Sequence, residues 1–225
     1  PDQEYSVPYT WGYVGIIYNT KMVHEPVTSW ATLFDEKYSG QILQFDNSRD
    51  AIATALFYLG YPVNTTDKAQ LDEAYQLLVQ QKGILQGYVM DQVFDKLEGG
   101  EAAIGVYYAG DALTMMDTNP DLDFCIPEEG TNFFVDAMCI PKGAANKANA
   151  EAFINFMCET DIALRNMDVT GYATPSAEAY NELDEETRNN PVLFPSSDVL
   201  ENCQTYVNLP AETLELYNDY WTKLK

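Results

Sequence analysis

Residues 130–141 read GTNFFVDAMCIP, an apolar run of strand length built around a single carboxylate, Asp136. Moving an ionised carboxylate out of water without a partner costs roughly several kcal/mol. Either Asp136 faces solvent, at a strand end or a turn, or something cationic meets it. Alternation along a strand puts Phe134 and Asp136 on one face and Val135 and Ala137 on the other, so the acid shares its face with an aromatic ring.

Around this stretch, strand-like runs alternate with helical patterns. The runs are YVGIIYN (13–19), QILQFD (41–46), AAIGVYYA (102–109), LDFCIP (122–127) and FFVDAMCIP (133–141). Between them, SRDAIATALFYLG and DKAQLDEAYQLLVQQKG carry apolar residues at helical spacing and close on Gly60 and Gly83. NAEAFINFMCET, DIALRNMDV and PAETLELYNDYWTKL follow, with Pro210 suited to a first helical turn. This alternation predicts an α/β architecture, and 225 residues suffice for one large domain or two modest ones. DNSRD (46–50) reads as a helix start, with Asn47 or Ser48 as the cap and Asp50 in the first turn; that role does not exclude binding.

Thirty-five acidic residues against 12 basic ones give a formal charge of −23, which disfavours nucleic acid and anionic membranes and favours cationic ligands. The four cysteines, Cys125, Cys139, Cys158 and Cys203, form no C-x-x-C pair, and His24 is the one histidine, so no metal site is expected. Cys139 and Cys158 lie in apolar stretches and read as small core residues rather than as a bridge. No apolar run approaches the length of a membrane span, and the chain opens without a leader pattern, as a fragment or a processed chain would.

The sequence carries no catalytic motif, and no enzyme is expected. GYVG (12–15) lacks the third glycine of a dinucleotide fingerprint, and EGGEAAIGVYYAG lacks a phosphate-loop ending, so no cofactor is implied. No nucleophile elbow accompanies His24, and no local pair of carboxylates stands out for glycoside hydrolysis. What is unusual is the density of aromatics beside acids and turns: VPYTWGY (7–13), GVYYAGD (105–111), NFFVD (132–136) and TGYATP (170–175). Aromatic faces attract ammonium groups and carboxylates add charge-assisted hydrogen bonds, so the pattern suits an organic cation.

Read in order, YSVPYTWGYVGIIYN, VTSWATLFDEKYSGQILQFDNSRDAIATALFYLGY, LEGGEAAIGVYYAGDA, GTNFFVDAMCIPKGAANKANAEAFINFM and TGYATPS closely resemble the spermidine/putrescine-binding proteins of bacterial ABC importers. The match covers the later two-thirds of such a protein. The resemblance implies a type II periplasmic-binding-protein fold of two lobes, with an extracytoplasmic location, a polyamine clamped in the cleft and the importer's permease subunits as partners. Residues 1–14 and 136–180 would form the remnant of lobe one, and 15–135 with 181–225 a nearly complete lobe two. Chain crossings would fall near Trp11–Val14, near Phe134–Ala137 and near Tyr180.

By position, the resemblance makes Asp136 the partner of an ammonium and Phe134 a flank for the methylene chain. Tyr108 stands where the family usually has tryptophan. The two acids of the family fall at Asn47 and Asp50, one changed to an amide and the other shortened. Tyr172 matches an aromatic wall, Gln204 a polar contact, and Trp11 lies at the first crossing. The altered charge leaves spermidine, a diamine or another cationic or polar solute open as ligand; outside the class, a carbohydrate-active or other hydrolytic module is the alternative. A lobe one lacking strands would expose backbone edges and apolar surface, so weak polyamine binding and self-association of this chain are expected.

Overall fold

The computed structural model describes residues 5–225, so residues 1–4 of the first lobe-one segment lie outside the described residues. Strand β1 spans Val7–Asn19, β2 Ile42–Phe45, β3 Leu85–Val89, β4 Ile104–Tyr108, β5 Leu122–Cys125 and β6 Phe133–Met138. They form a mixed sheet in the order β3-β2-β4-β1-β5, with β6 also on β1. β2 runs parallel to β3 and β4, while β1 is antiparallel to β4, β5 and β6.

β1 is long because it serves two sets of partners. Its first half, from Val7 to Tyr13, pairs with β6; from Val14 onward it pairs with β4, and from Ile16 with β5 as well. The apolar run after Gly12 explains the second half: Tyr13, Val14, Ile16 and Ile17 are all buried. Gly15 permits the close approach there, since a Cβ on it would meet the Phe124 ring at 2.2 Å and the Cys125 carbonyl at 2.5 Å.

Helices cover the sheet. α1 (Ser48–Tyr58) starts at the Asn47 cap, whose side-chain oxygen accepts from the N–H groups of Arg49 and Asp50. α2 (Lys68–Lys82) follows, capped by Asp67. α3 (Gln92–Glu98) and α4 (Ala109–Thr118) flank β4 in sequence. α5 (Lys147–Met157) and α6 (Thr160–Thr170) follow β6, and the short helices α7 (Ala177–Glu182), α8 (Glu185–Arg188) and α9 (Ser197–Glu201) lead to α10 (Ala211–Leu224). Pro210 stands at the cap of α10, one residue ahead of the first turn.

The larger core gathers β1, β2 and β4 with Trp30, Leu33 and Met115. A second core joins α1, α2 and α10 through Ile52, Leu56, Leu71, Leu78, Tyr217 and Leu224. The side-chain amide of Gln44, buried on β2, donates to Thr54 at 3.1 Å and to Gln81 at 3.3 Å, and Gln81 donates to the Leu33 carbonyl at 3.0 Å. Gln44, Thr54 and Gln81 are thus paired within this layer, which avoids the cost of burying them bare.

The strand runs read from the sequence are all present. β3, α3, α4 and the three short helices were not read, because each is short or lacks a strong period. The reading of Cys139 and Cys158 as core residues is corrected: both are free and exposed. Their segments are apolar, but α5 buries none of its residues and leaves Phe153 and Phe156 at 59% and 45% exposure. Val135 on β6 is likewise exposed.

Gly15→Ala should lower stability by about 1–3 kcal/mol, because its methyl drives β1 away from β5. Urea unfolding of the variant beside the parent measures the loss.

Candidate functional site

A cleft of ≈ 510 Å³ opens where β1 changes partners, lined by Asn47, Arg49, Asp50, Tyr108, Asn132, Phe134, Asp136, Tyr172 and Tyr206. Six of the residues singled out from the sequence therefore meet in one place, although they come from the start of α1, the end of β4, β6 and the turn after α6.

β6 supplies one side of the cleft. Phe134 and Asp136 are two apart and both line it, while Val135 between them faces outward. Thr10, opposite Asp136 in the β1 register, donates its hydroxyl to Asp136 Oδ2 at 3.0 Å. The carboxylate is therefore oriented by one neighbour and keeps further acceptor capacity toward the cleft.

The aromatic wall is built on glycines. Phe134 packs edge-on against Tyr108, with ring centroids 5.4 Å apart, and against Tyr172 at 6.2 Å. Gly12, facing Phe134 across the ladder, leaves room for both rings: a Cβ there would come within 3.2 Å of Phe134 and 3.3 Å of Tyr172. Tyr172 also lies over Gly110, where a Cβ would collide with its ring at 2.4 Å. The turn that carries Tyr172 needs Gly171, which has φ +71° and caps α6 in the left-handed region.

Two acids, Asp50 and Asp111, anchor tyrosines of the cleft. Asp50, at 4% exposure, accepts from the Tyr206 hydroxyl at 2.9 Å. Burial pushes its carboxyl above the usual range, against the pull of Tyr206, Arg49 and Tyr108. Asp111, which was not read as a site residue, accepts from the Tyr172 hydroxyl at 2.7 Å, and burial raises its pKa too. The Tyr108 and Tyr172 hydroxyls are held protonated well above the ordinary tyrosine range, chiefly by burial.

Trp11 and Gln204 stand outside the lining. Trp11 pairs with Val135 in the β1–β6 register, so alternation sends it to the face opposite Gly12 and Phe134. There its indole donates to the Thr174 carbonyl at 3.1 Å and its ring packs against Phe133 and Phe194. Gln204 is committed elsewhere: its side-chain oxygen accepts from the Val63 N–H at 3.2 Å, and its backbone bonds to Thr131 and Phe133.

Arg49, Asn132 and Tyr206 line the cleft and were missed. The Arg49 guanidinium lies 4.5 Å from the Tyr206 ring centroid and 5.3 Å from that of Tyr217, and donates to Asn64 Oδ1 at 3.0 Å. In the sequence Arg49 shows as the cation in an acid-rich helix start, and Asn132 opens the NFFVD stretch. Tyr206 lies 156 residues from Asp50, and nothing local to it announces the contact. Among the described residues, no cluster of three or more His, Cys, Asp or Glu side chains is placed to hold a metal ion.

A cleft with an acid and aromatic rings, set where a long strand changes partners, suits the binding of a small solute. The profile of the bacterial extracellular solute-binding protein family matches residues 2–195, and the chain is a member of that family. The family places it outside the cytoplasm, and no helix among the described residues is long and apolar enough to cross a membrane.

Among individual relatives, the spermidine/putrescine-binding periplasmic protein of Escherichia coli K12 is 32% identical over 226 residues, covering 100% of this chain and 65% of its own length. The putrescine-binding periplasmic protein of Pseudomonas aeruginosa UCBPP-PA14 is 29% identical over all of this chain and 66% of its own. The crystal structure of a spermidine/putrescine ABC transporter substrate-binding protein from Streptococcus pneumoniae superposes with a TM-score of 0.90 at 32% identity, over 100% of this chain and 69% of that one. The fold is thus the α/β fold of periplasmic binding proteins, and this chain spans about two thirds of the relatives' length. Of these three, the Streptococcus protein is the substrate-binding protein of an ABC transporter.

The raised carboxyls make stability depend on pH. Asp50 and Asp111 hold protons in the folded protein at a pH where the unfolded chain has lost them. The stability they contribute is full below the unfolded carboxylate pKa and is lost as pH rises through their folded values. Asp50→Asn should flatten that fall, as measured by thermal unfolding across a pH series.

Proposed function

We propose that the cleft binds an organic cation of the polyamine class and that the protein delivers it to the permease subunits of an ABC importer, with no catalytic step, cofactor or metal. One observation carries this reading: Asp136, oriented by Thr10, shares a cleft with the Phe134, Tyr108 and Tyr172 rings. A carboxylate at one point and aromatic faces along the path meet an ammonium and its methylene chain respectively. The relatives named for spermidine and putrescine binding support the same ligand class.

On this reading the lobes divide as the resemblance implies, with 1–14 and 136–180 in one and 15–135 and 181–225 in the other. The exchange of β1 partners between Tyr13 and Val14 supports a boundary there. The exposed Val135, Phe153 and Phe156 fall within or beside the proposed lobe one and favour association of copies through that face.

Asp136→Asn should weaken polyamine binding by roughly 1.5–3 kcal/mol, about ten- to a hundredfold in Kd, since it removes a charged acceptor while keeping the side chain's shape. Calorimetry on the complete gene product checks this. Unchanged affinity in a folded variant would remove Asp136 from the ligand contacts.

A further inference from the structure

The acids at the aromatic wall differ in what they leave for a ligand. Asp136 lines the cleft, accepts from the Thr10 hydroxyl at 3.0 Å and keeps further acceptor capacity. Asp111 stands outside the lining, its Oδ2 taken by the Tyr172 hydroxyl at 2.7 Å. Asp50 belongs to the lining and yet is buried, and the group that covers it is Tyr206.

The Tyr206 hydroxyl lies 2.9 Å from Asp50 Oδ1 and 3.3 Å from the Arg49 carbonyl oxygen. The carboxylate is the nearer acceptor and the charged one, so it holds the phenolic proton. Tyr206 is itself fixed on several sides. The Arg49 guanidinium lies 4.5 Å from its ring centroid and donates to Asn64 Oδ1 at 3.0 Å. Asn64, in the loop between α1 and α2, also donates to the Thr205 carbonyl at 2.8 Å and accepts from the Val207 N–H at 3.1 Å. Both chain neighbours of Tyr206 are therefore tied to that loop, and the hydroxyl is held on Asp50.

Arg49 adds a second effect, since its charge also acts on Asp50. One guanidinium and two carboxylates among the lining residues leave a single net negative charge, and it stands at Asp136. An ammonium that sought Asp50 would have to displace a phenol donor and approach a cation, both of which cost binding energy.

We infer that Tyr206 is a specificity-determining residue of this site: its hydroxyl withholds Asp50 from the ligand, so the cleft holds an amine by one charged end, at Asp136, with the hydrocarbon chain along the Phe134, Tyr108 and Tyr172 wall. The inference rests on the polyamine reading and adds how many ammonium groups the cleft pairs.

Calorimetry on the complete gene product with putrescine and n-butylamine, which share a butyl chain and differ by one ammonium, tests it. In the parent protein the two affinities should lie within about tenfold of each other. Tyr206→Phe removes the hydroxyl and keeps the ring on Arg49; it should raise the ratio of putrescine to n-butylamine affinity by about tenfold, and adding Asp50→Asn should take that rise away. A merely structural role for Tyr206 would weaken both amines together and leave the ratio where it was. That result overturns the inference, and so does a rise that survives Asp50→Asn. If the variants fail to fold, the parent ratio decides: putrescine bound more than about tenfold tighter than n-butylamine means that a second carboxylate is in use. In each of these failures putrescine still binds and the polyamine reading stands. If neither putrescine nor spermidine binds the parent protein, both readings fall.

Discussion

The cleft depends on one constraint, the continuous hydrogen bonding of β1 to different partners along its length. A strand's backbone groups must be satisfied wherever they are buried, so a strand that leaves one neighbour needs another at once. β1 makes that exchange between Tyr13 and Val14, passing from β6 to β4. Side chains from β6, from the end of β4 and from the start of α1 converge there because their own elements are hydrogen-bonded or packed into the same frame. Thr10 orients Asp136 from within β1 itself.

Glycines decide how close the walls come. A Cβ on Gly110 would collide with the Tyr172 ring and one on Gly12 would crowd Phe134 and Tyr172, so the rings approach the backbone closely and form a surface that a methylene chain can follow. Tyr172 is tied further by its hydroxyl to Asp111, and Tyr206 by its hydroxyl to Asp50. Tyrosine serves here as an apolar wall with a polar anchor at its far end, a dual character phenylalanine lacks. The anchoring acids are hidden behind the rings, so they shape the site's field while Asp136 alone stands open at the β6 end.

The chain's surface is divided. The sheet flanked by α1, α2 and α10 is closely packed and its buried amides satisfy one another. α5 and the outer part of β6 show the reverse, with apolar side chains and two free cysteines open to solvent. Both regions have similarly apolar sequences. Burial differs because the first has layers on both sides, and α5 has no described residue packed over its outer face.

Much of this protein was legible in order of residues alone. Strand and helix periods, the Asn47 cap and the placement of Phe134 and Asp136 on one face follow from local backbone geometry, which acts over a few residues. Family resemblance further picked out Tyr108, Tyr172, Asp50 and Asn47. Tertiary structure decided what local rules cannot reach. Trp11 turned away from the cleft because its register against Val135 fixes its face, and Gln204 because Val63 claims its oxygen. Arg49, Asn132 and Tyr206 entered it because chain segments more than a hundred residues apart meet there, as Tyr206 and Asp50 do across 156 residues. Cys139 and Cys158 looked like core and lie on the surface, since apolar character measures a preference for burial, and burial itself requires another layer to supply the cover.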